Sequence, residues 1–325
     1  MTGITRILVP TDFSAPSDAA FAYARALAER FDASLHLAHA FEDPFTTAAF
    51  AAEMYAPLPA NLRDKLLIDI ERRLAEQFPP EDRTRFRGTT DIVTGPPARA
   101  IVEYSQSLGS DLIVLGTHGR GGMPHLLLGS VAERVVRTAR CPVLTVREPV
   151  DSAIRHILVP TDFSDTADAA LDYALLVAAR YGASLQLLHV LDDPFVPEGL
   201  AGDAYITEAP VLRSAMLRDA QNRLAHRVAP LRRGGEIEGS PGVARVDADA
   251  LFGHGARTIA EYAGERGADL IVIGTHGRTG VAHLLLGSVA ERLVRHAPCP
   301  VLTVRHQAPP RPQAELIYDV EHLPA

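Results

Sequence analysis

The sequence predicts an α/β fold written twice: two tandem doubly wound domains, each a parallel sheet with helices on both faces. Three observations predict it. "ILVPTDFS" at Ile7–Ser14 recurs at Ile157–Ser164, 150 residues on, and "DLIVLGTHGR" at Asp111–Arg120 recurs as "DLIVIGTHGR" at Asp269–Arg278, 158 residues on. A repeat of that period is domain-sized rather than a solenoid unit, and 325 residues make about two domains of ~150 residues. Within each copy, strand-like and helix-like segments alternate, and that order implies parallel strands joined by crossover helices.

In the first copy, Ile7–Val9 is a short apolar run ended by Pro10. Ala15–Arg30 is Ala-rich with helical spacing, and Ser14 or Ser17 is a suitable N-cap. Leu35–Ala40 reads as a strand. Asn61–Phe78 carries Leu62, Leu66, Ile70 and Leu74 at four-residue steps, one face of a helix. Arg87–Val93 is a weaker strand, and Ala98–Leu108 a helix opened by Pro96 and Pro97. Asp111–Leu115 has the continuous apolar core expected when both sheet faces are covered. Ser130–Thr138 is helical and Pro142–Val146 is a last strand. The second copy follows with Ile157–Val159, Leu185–Val190, Arg213–Ala229, Val243–Asp247, Ala256–Gly264, Leu270–Ile273, Ser288–His296 and Val301–Val304. Its eight extra residues fall in the turn-rich stretch Arg232–Gly242. The boundaries are domain 1 at 1–147, a linker at 148–154, domain 2 at 155–305 and a tail at 306–325 that starts proline-rich.

Composition narrows the function. Hydrophobic residues are 47% and charged residues 22%, ordinary for a globular chain. A net charge of −8 argues against nucleic acid as the main partner. No stretch reaches the ~18 apolar residues of a membrane span, and no secretory h-region opens the chain, so a soluble, cytoplasmic protein is expected. Cys141 and Cys299 stand in the same phrase, "CPVLTVR", and read as small buried side chains in a reducing compartment.

The chemistry-bearing stretch is "GTHGRGGMPHLLLGSVAERVV" from Gly116, echoed as "GTHGRTGVAHLLLGSVAERLV" from Gly274. Each follows a buried strand and ends at a Gly-Ser that opens a helix. Ser130-Val131-Ala132-Glu133 fits a capping box. A helix start offers free N–H groups and a positive dipole end, and glycines just before it let a phosphate chain approach the backbone. A turn-only reading of the glycines stays open beside this one. The loop is not a P-loop, because no Lys follows the glycines and Lys65 is the only lysine. No G-x-G-x-x-G follows the first strand either, where "VPTDFS" stands.

The spacing Gly116-x2-Gly119-x9-Gly129-Ser130, repeated as Gly274-x2-Gly277-x9-Gly287-Ser288, closely resembles the ATP-binding motif of the universal stress protein family. The resemblance takes in "ILVPTDFS", the His-Ala or His-Val after the second strand, and "CPVLTV". It implies a five-stranded parallel sheet of order 3-2-1-4-5 in each domain. It also implies ATP as ligand, with Mg2+ at the phosphates an open option, and pairing of the two halves through their "VLTVR" edges, with a homodimer of chains beyond that. By the same resemblance Pro10, Thr11, Asp12 and the backbone of Ala40 hold adenine and ribose. Gly116, Thr117, His118, Gly119, Arg120, Gly122, Gly129, Ser130 and Val131 hold ribose and phosphates. The second-domain set is Pro160, Thr161, Asp162, Val190, Gly274, Thr275, His276, Gly277, Arg278, Gly280, Gly287, Ser288 and Val289.

Other residues have blander roles. For Asp12 and Asp162, helix capping is the alternative to the ribose role. His118 and His276 are expected to be structural or phosphate-proximal rather than general bases, His125 and His283 to pack or meet solvent, and His39 and His189 to be satisfied core histidines. No metal-ligand cluster and no nucleophile–base arrangement stands out in the sequence. The expected function is nucleotide-dependent regulation of stress survival through an unidentified protein partner. A slow ATPase or related nucleotide-processing enzyme, and a nucleotide-free structural module, are the alternatives.

Overall fold

The computed structural model describes residues 3–43, 61–117, 128–192, 203–232, 242–275 and 286–305. The first half runs β1 (Arg6–Pro10), α1 (Ala15–Phe31), β2 (Ser34–Phe41), α2 (Leu62–Gln77), α3 (Pro80–Arg85), β3 (Thr90–Thr94), α4 (Pro97–Leu108), β4 (Leu112–Gly116), α5 (Ser130–Thr138) and β5 (Val143–Val146). The second runs β6 (His156–Pro160), α6 (Asp165–Tyr181), β7 (Ser184–Leu191), α7 (Asp203–Val228), a 3-10 turn (Ala229–Arg232), β8 (Arg245–Phe252), α8 (Gly255–Glu265), β9 (Leu270–Gly274), α9 (Ser288–His296) and β10 (Val301–Val304).

The ten strands form one sheet in the order β3-β2-β1-β4-β5-β10-β9-β6-β7-β8. Each half is parallel and has the expected 3-2-1-4-5 order. The halves meet where β5 and β10 pair antiparallel, with Leu144 opposite Leu302. The hydroxyls reinforce this ladder: Thr145 donates to the Val301 carbonyl at 3.1 Å and Thr303 to the Val143 carbonyl at 3.0 Å. Pairing satisfies the backbone groups that each half would otherwise expose along an open edge.

Side-chain alternation sorts the core into two layers. Ile7, Val9, Leu35 and Val114 pack with α1, α2, α6 and α7 on one face. Leu8, Ala38, Ile113 and Leu115 pack with α4, α5, α8 and α9 on the other. Acidic side chains pin the strand starts in both halves. Asp111 accepts from the backbone N–H of Thr5 and Arg6 at 2.9 and 3.0 Å, and Asp269 from Arg155 and His156 at 2.7 and 2.9 Å.

Some expected bounds shift. The segment expected as a strand from Arg87 starts pairing only at Thr90. Arg87 has φ 49°, and Gly88 lies so close to the Leu35 carbonyl that a Cβ would fall 1.8 Å from it. The short helix α3, not foreseen, ends just before this turn. On α2, Ile70 and Leu74 are buried, whereas Leu66 of the same stripe is 37% exposed. Helix α7 extends upstream of Arg213 through Pro210, where periodicity stops short. Cys141 and Cys299 are half-buried, and burial pushes their thiols up to about 11 and about 12, which keeps them unreactive.

The β5–β10 ladder predicts the behaviour of a single half. Residues 1–147 expressed alone leave the outer edge of β5 unpaired and are expected to dimerise through it at micromolar concentration. Light scattering that shows only a monomer would contradict this.

Candidate functional site

In each half the strand order reverses beside the first strand, so the connections leave to opposite faces and open a crevice at the carboxyl ends. In the first half β1 lies between β2 and β4. The loop leaving β1 is Thr11–Ser14, and it is held from several sides. The Thr11 N–H donates to the Ala38 carbonyl at 2.8 Å. His39 Nδ1 donates to the Thr11 carbonyl at 2.7 Å, which sets the proton on Nδ1. The Phe13 N–H donates to Thr11 Oγ1 at 3.0 Å.

Asp12 Oδ1 accepts from the Ser14 N–H at 3.1 Å and from Ser14 Oγ at 2.5 Å. Ser14 is the N-cap of α1 and forms a capping box with Ser17, so Asp12 supports the cap rather than being it. The second half repeats the construction. His189 Nδ1 donates to the Thr161 carbonyl at 2.6 Å, and Asp162 Oδ1 accepts from the Ser164 N–H at 3.1 Å. His39 and His189 thus have the structural role expected of them.

The glycine loop begins and ends in a fixed frame. Thr117 is buried, its N–H donates to the Val146 carbonyl at 3.1 Å, and its carbonyl accepts from the Gly129 N–H at 2.7 Å. Thr275 and Gly287 repeat the link at 2.7 Å. This tie shifts the helix start. Gly129, not Ser130, is the N-cap of α5, its carbonyl accepting from the Glu133 N–H at 2.9 Å. Ser130 is the first helical residue, so the capping box expected of Ser130 and Glu133 does not form. Gly129 and Gly287, as N-caps, have no side chain with which to cap α5 or α9. The first N–H groups and positive dipole ends of these helices face the carboxyl side of the sheet.

Ala40, Val131, Val190 and Val289 all rest on the apolar layer that covers this face of the sheet. A cavity of about 800 Å3 opens beside Ser130 and Val131, bounded also by Glu42, Pro97, Arg99 and Arg134. That volume lies within the ~300–1,000 Å3 range of small-molecule sites. Of the expected site residues, Ser130 and Val131 line this cavity, whereas Pro10, Thr11, Asp12, Ala40, Gly116, Thr117 and Gly129 stand at the strand ends and the helix start outside its lining. Their second-half counterparts occupy the equivalent positions in the sheet. His118, Gly119, Arg120, Gly122, His276, Gly277, Arg278 and Gly280, with His125 and His283, lie outside the described residues.

Two glycines have a packing reason. A Cβ on Gly116 would fall 2.8 Å from the Pro16 backbone, and one on Gly274 would fall 2.9 Å from the Thr166 carbonyl. The first turns of α1 and α6 press directly on these strand ends. Gly129 and Gly287 differ: at φ −60° their backbone suits any residue.

The halves also differ in charge beside the loop. Burial, then the Asp12 carboxylate, raises the pKa of Asp18 above the usual carboxylate range, and Arg73 opposes this. Gln77 meets Asp18 at 2.7 Å, where Arg227 grips Asp168 through two hydrogen bonds of 2.8 Å. A raised carboxyl pKa means the folded state binds the proton more tightly, so Asp18's contribution to stability declines as pH rises through its titration.

Two predictions follow from this geometry. Gly116→Ala is expected to lower stability by ~1–3 kcal/mol through overpacking against Pro16, read as a reduced denaturation midpoint; an unchanged midpoint would show that α1 yields freely. Gln77→Arg is expected to lower the Asp18 pKa by giving Asp18 the cation that Asp168 has in Arg227, read by NMR titration, and an unmoved titration would show that residue 77 does not set the charge of Asp18.

Among known proteins, the profile of the Universal stress protein family matches residues 3–147 and again 153–305. Universal stress protein Rv2005c of Mycobacterium tuberculosis is 31% identical over 240 residues, 72% of this chain and 74% of the relative. Universal stress protein Rv2623 of the same organism is 29% identical over 315 residues, 92% of this chain and 96% of the relative. A universal stress protein from Archaeoglobus fulgidus shares the fold with a TM-score of 0.63 at 22% identity, covering 94% of this chain and 99% of that one. With two family matches that follow the two halves of the sheet, the chain belongs to the universal stress protein family, in its tandem two-domain form.

Proposed function

We propose that each domain binds ATP at the carboxyl ends of its first and fourth strands, and that occupancy regulates a stress-response partner. The observation that carries this reading is the pair of uncapped helix starts, Ser130–Ala132 and Ser288–Ala290, each beside a Thr-Asp-Phe-Ser loop at the strand-order reversal. An anion satisfies N–H groups that a glycine N-cap leaves without a capping side chain of its own. Asp12 and Asp162, already anchored through Oδ1, stand on the strand side as partners for ribose hydroxyls. The family's motif spacing, kept in both copies, supports adenine nucleotide as the ligand.

The test uses Gly129 and Gly287. Their negative φ means that valine there adds bulk without backbone strain of the left-handed kind. Gly129→Val and Gly287→Val are each expected to remove one site, so that calorimetric stoichiometry falls from two ATP per chain to one, and to none in the double variant. At a hundredfold excess over Kd each site contributes ~2.7 kcal/mol of stabilisation, so each single variant forfeits part of the thermal shift. Two ATP bound with unchanged affinity by the double variant would reduce these loops to turns.

A further inference from the structure

Phe13 and Phe163 hold φ values of 62° and 65°, the left-handed region that a bulky side chain seldom enters. Both lie in the loop that presents Asp12 or Asp162. Glycine would make this turn without strain, so the ring itself must be needed there. Its surroundings show the use. Phe13 stacks on His39 with centroids 4.8 Å apart and an interplanar angle of 26°. The Arg73 guanidinium from α2 stands over the same ring, 4.0 Å from its centroid. A stacked ring and a guanidinium at these distances cannot share one face, so Phe13 lies between them. In the second half Phe163 packs on His189 at 4.5 Å and Arg223 of α7 stands over it at 3.9 Å. The arginine recurs 150 residues on as part of a duplicated helix, since Leu62, Arg63, Leu67, Asp69, Leu74 and Ala75 recur with it as Leu212, Arg213, Leu217, Asp219, Leu224 and Ala225.

The stack continues into the site. The histidine that carries the ring donates to the carbonyl of Thr11 or Thr161, the residue before the aspartate. The aromatic residue follows the aspartate directly. Both neighbours of Asp12 are thereby clamped, one through His39 and one through Arg73. Resting on the nucleotide reading above, we propose that Arg73 and Arg223 are positioning residues for the two sites. Through the ring they keep the loop left-handed and the aspartate turned toward the crevice, so nucleotide affinity is set from the outer helix of each domain. The halves are not equal. Arg227 lies 5.2 Å from the Phe163 centroid, and its guanidinium also donates to the Phe163 carbonyl at 3.4 Å, whereas Gln77 fills that place in the first half. Among the described residues two cations stand over the second ring and one over the first, so loss of Arg223 is expected to cost less than loss of Arg73.

The experiment compares Arg73→Leu, Arg73→Lys and Arg223→Leu in the full chain. ATP titration calorimetry is read together with amide exchange at residues 12–14 in the nucleotide-free protein. Arg73→Leu is expected to weaken one of the two sites by about tenfold and to speed exchange at Phe13 and Ser14. Arg73→Lys, which keeps a cation over the ring, is expected to restore most of both, and Arg223→Leu to give the smaller loss. A purely structural role would lower the unfolding midpoint equally in the leucine and lysine variants without a loss confined to one site, and that result overturns the proposal. Unchanged affinity and exchange in Arg73→Leu overturn it as well. If the wild-type chain binds no ATP, the nucleotide reading fails, and the role assigned here fails with it. Wild-type binding left intact by Arg73→Leu defeats the positioning role alone.

Discussion

The antiparallel contact between β5 and β10 organises the rest of the molecule. Each half ends in a four-residue strand at the edge of its own sheet. Such an edge presents a row of unpaired N–H and carbonyl groups, and a second copy of the same domain within the chain is a ready partner. The pairing turns two five-stranded sheets into one of ten. It also brings α1 against α6, where Arg30 stands over the Tyr181 ring at 5.0 Å and Arg180 over Phe31 at 5.8 Å. These are the same two positions exchanging cation and ring across an approximate two-fold axis.

Antiparallel pairing has a functional consequence. All strands of a half run with its edge strand, so the carboxyl ends of the two halves point in opposite directions. The two crevices therefore open at opposite ends of the continuous sheet. They share the central ladder and the α1–α6 contact rather than any wall. The Arg295–Glu133 ion pair at 3.3 Å also joins the helices that start the two glycine-loop sites. The two crevices are thus connected through packed elements and the central ladder.

Within each crevice two demands on the chain are kept apart. Gly116 and Gly274 serve the packing of α1 and α6, because neighbouring backbone occupies the space a Cβ would need. Gly129 and Gly287 end the loop at ordinary φ and leave the helix start uncapped. The strain is held elsewhere, at Phe13 and Phe163, and is met by stacking with histidine and arginine. Backbone strain of this kind persists only where the surroundings over-determine it.

By itself the sequence determined the duplication, the alternation of strands and helices, the apolar centres of the strands and the residues that gather at the carboxyl ends. Those features are local or periodic, and periodicity survives in a one-dimensional string. Tertiary structure decided what depends on contacts between distant segments. The Thr117–Gly129 tie moved the N-cap from Ser130 to Gly129, although Ser-x-x-Glu alone favours Ser130. Burial separated Ile70 and Leu74 from Leu66, because the face of α2 on the core runs Leu67-Ile70-Leu74 and a strict four-residue stripe drifts off it. The partners of Phe13 come from β2 and α2, 26 and 60 residues further along the chain, so no local pattern marks them. The recurrence of Arg73 as Arg223 is visible in the sequence, but within a helix whose Arg63, Leu67, Asp69 and Leu74 recur as well. It acquires meaning only when the fold lays each over the ring that it holds.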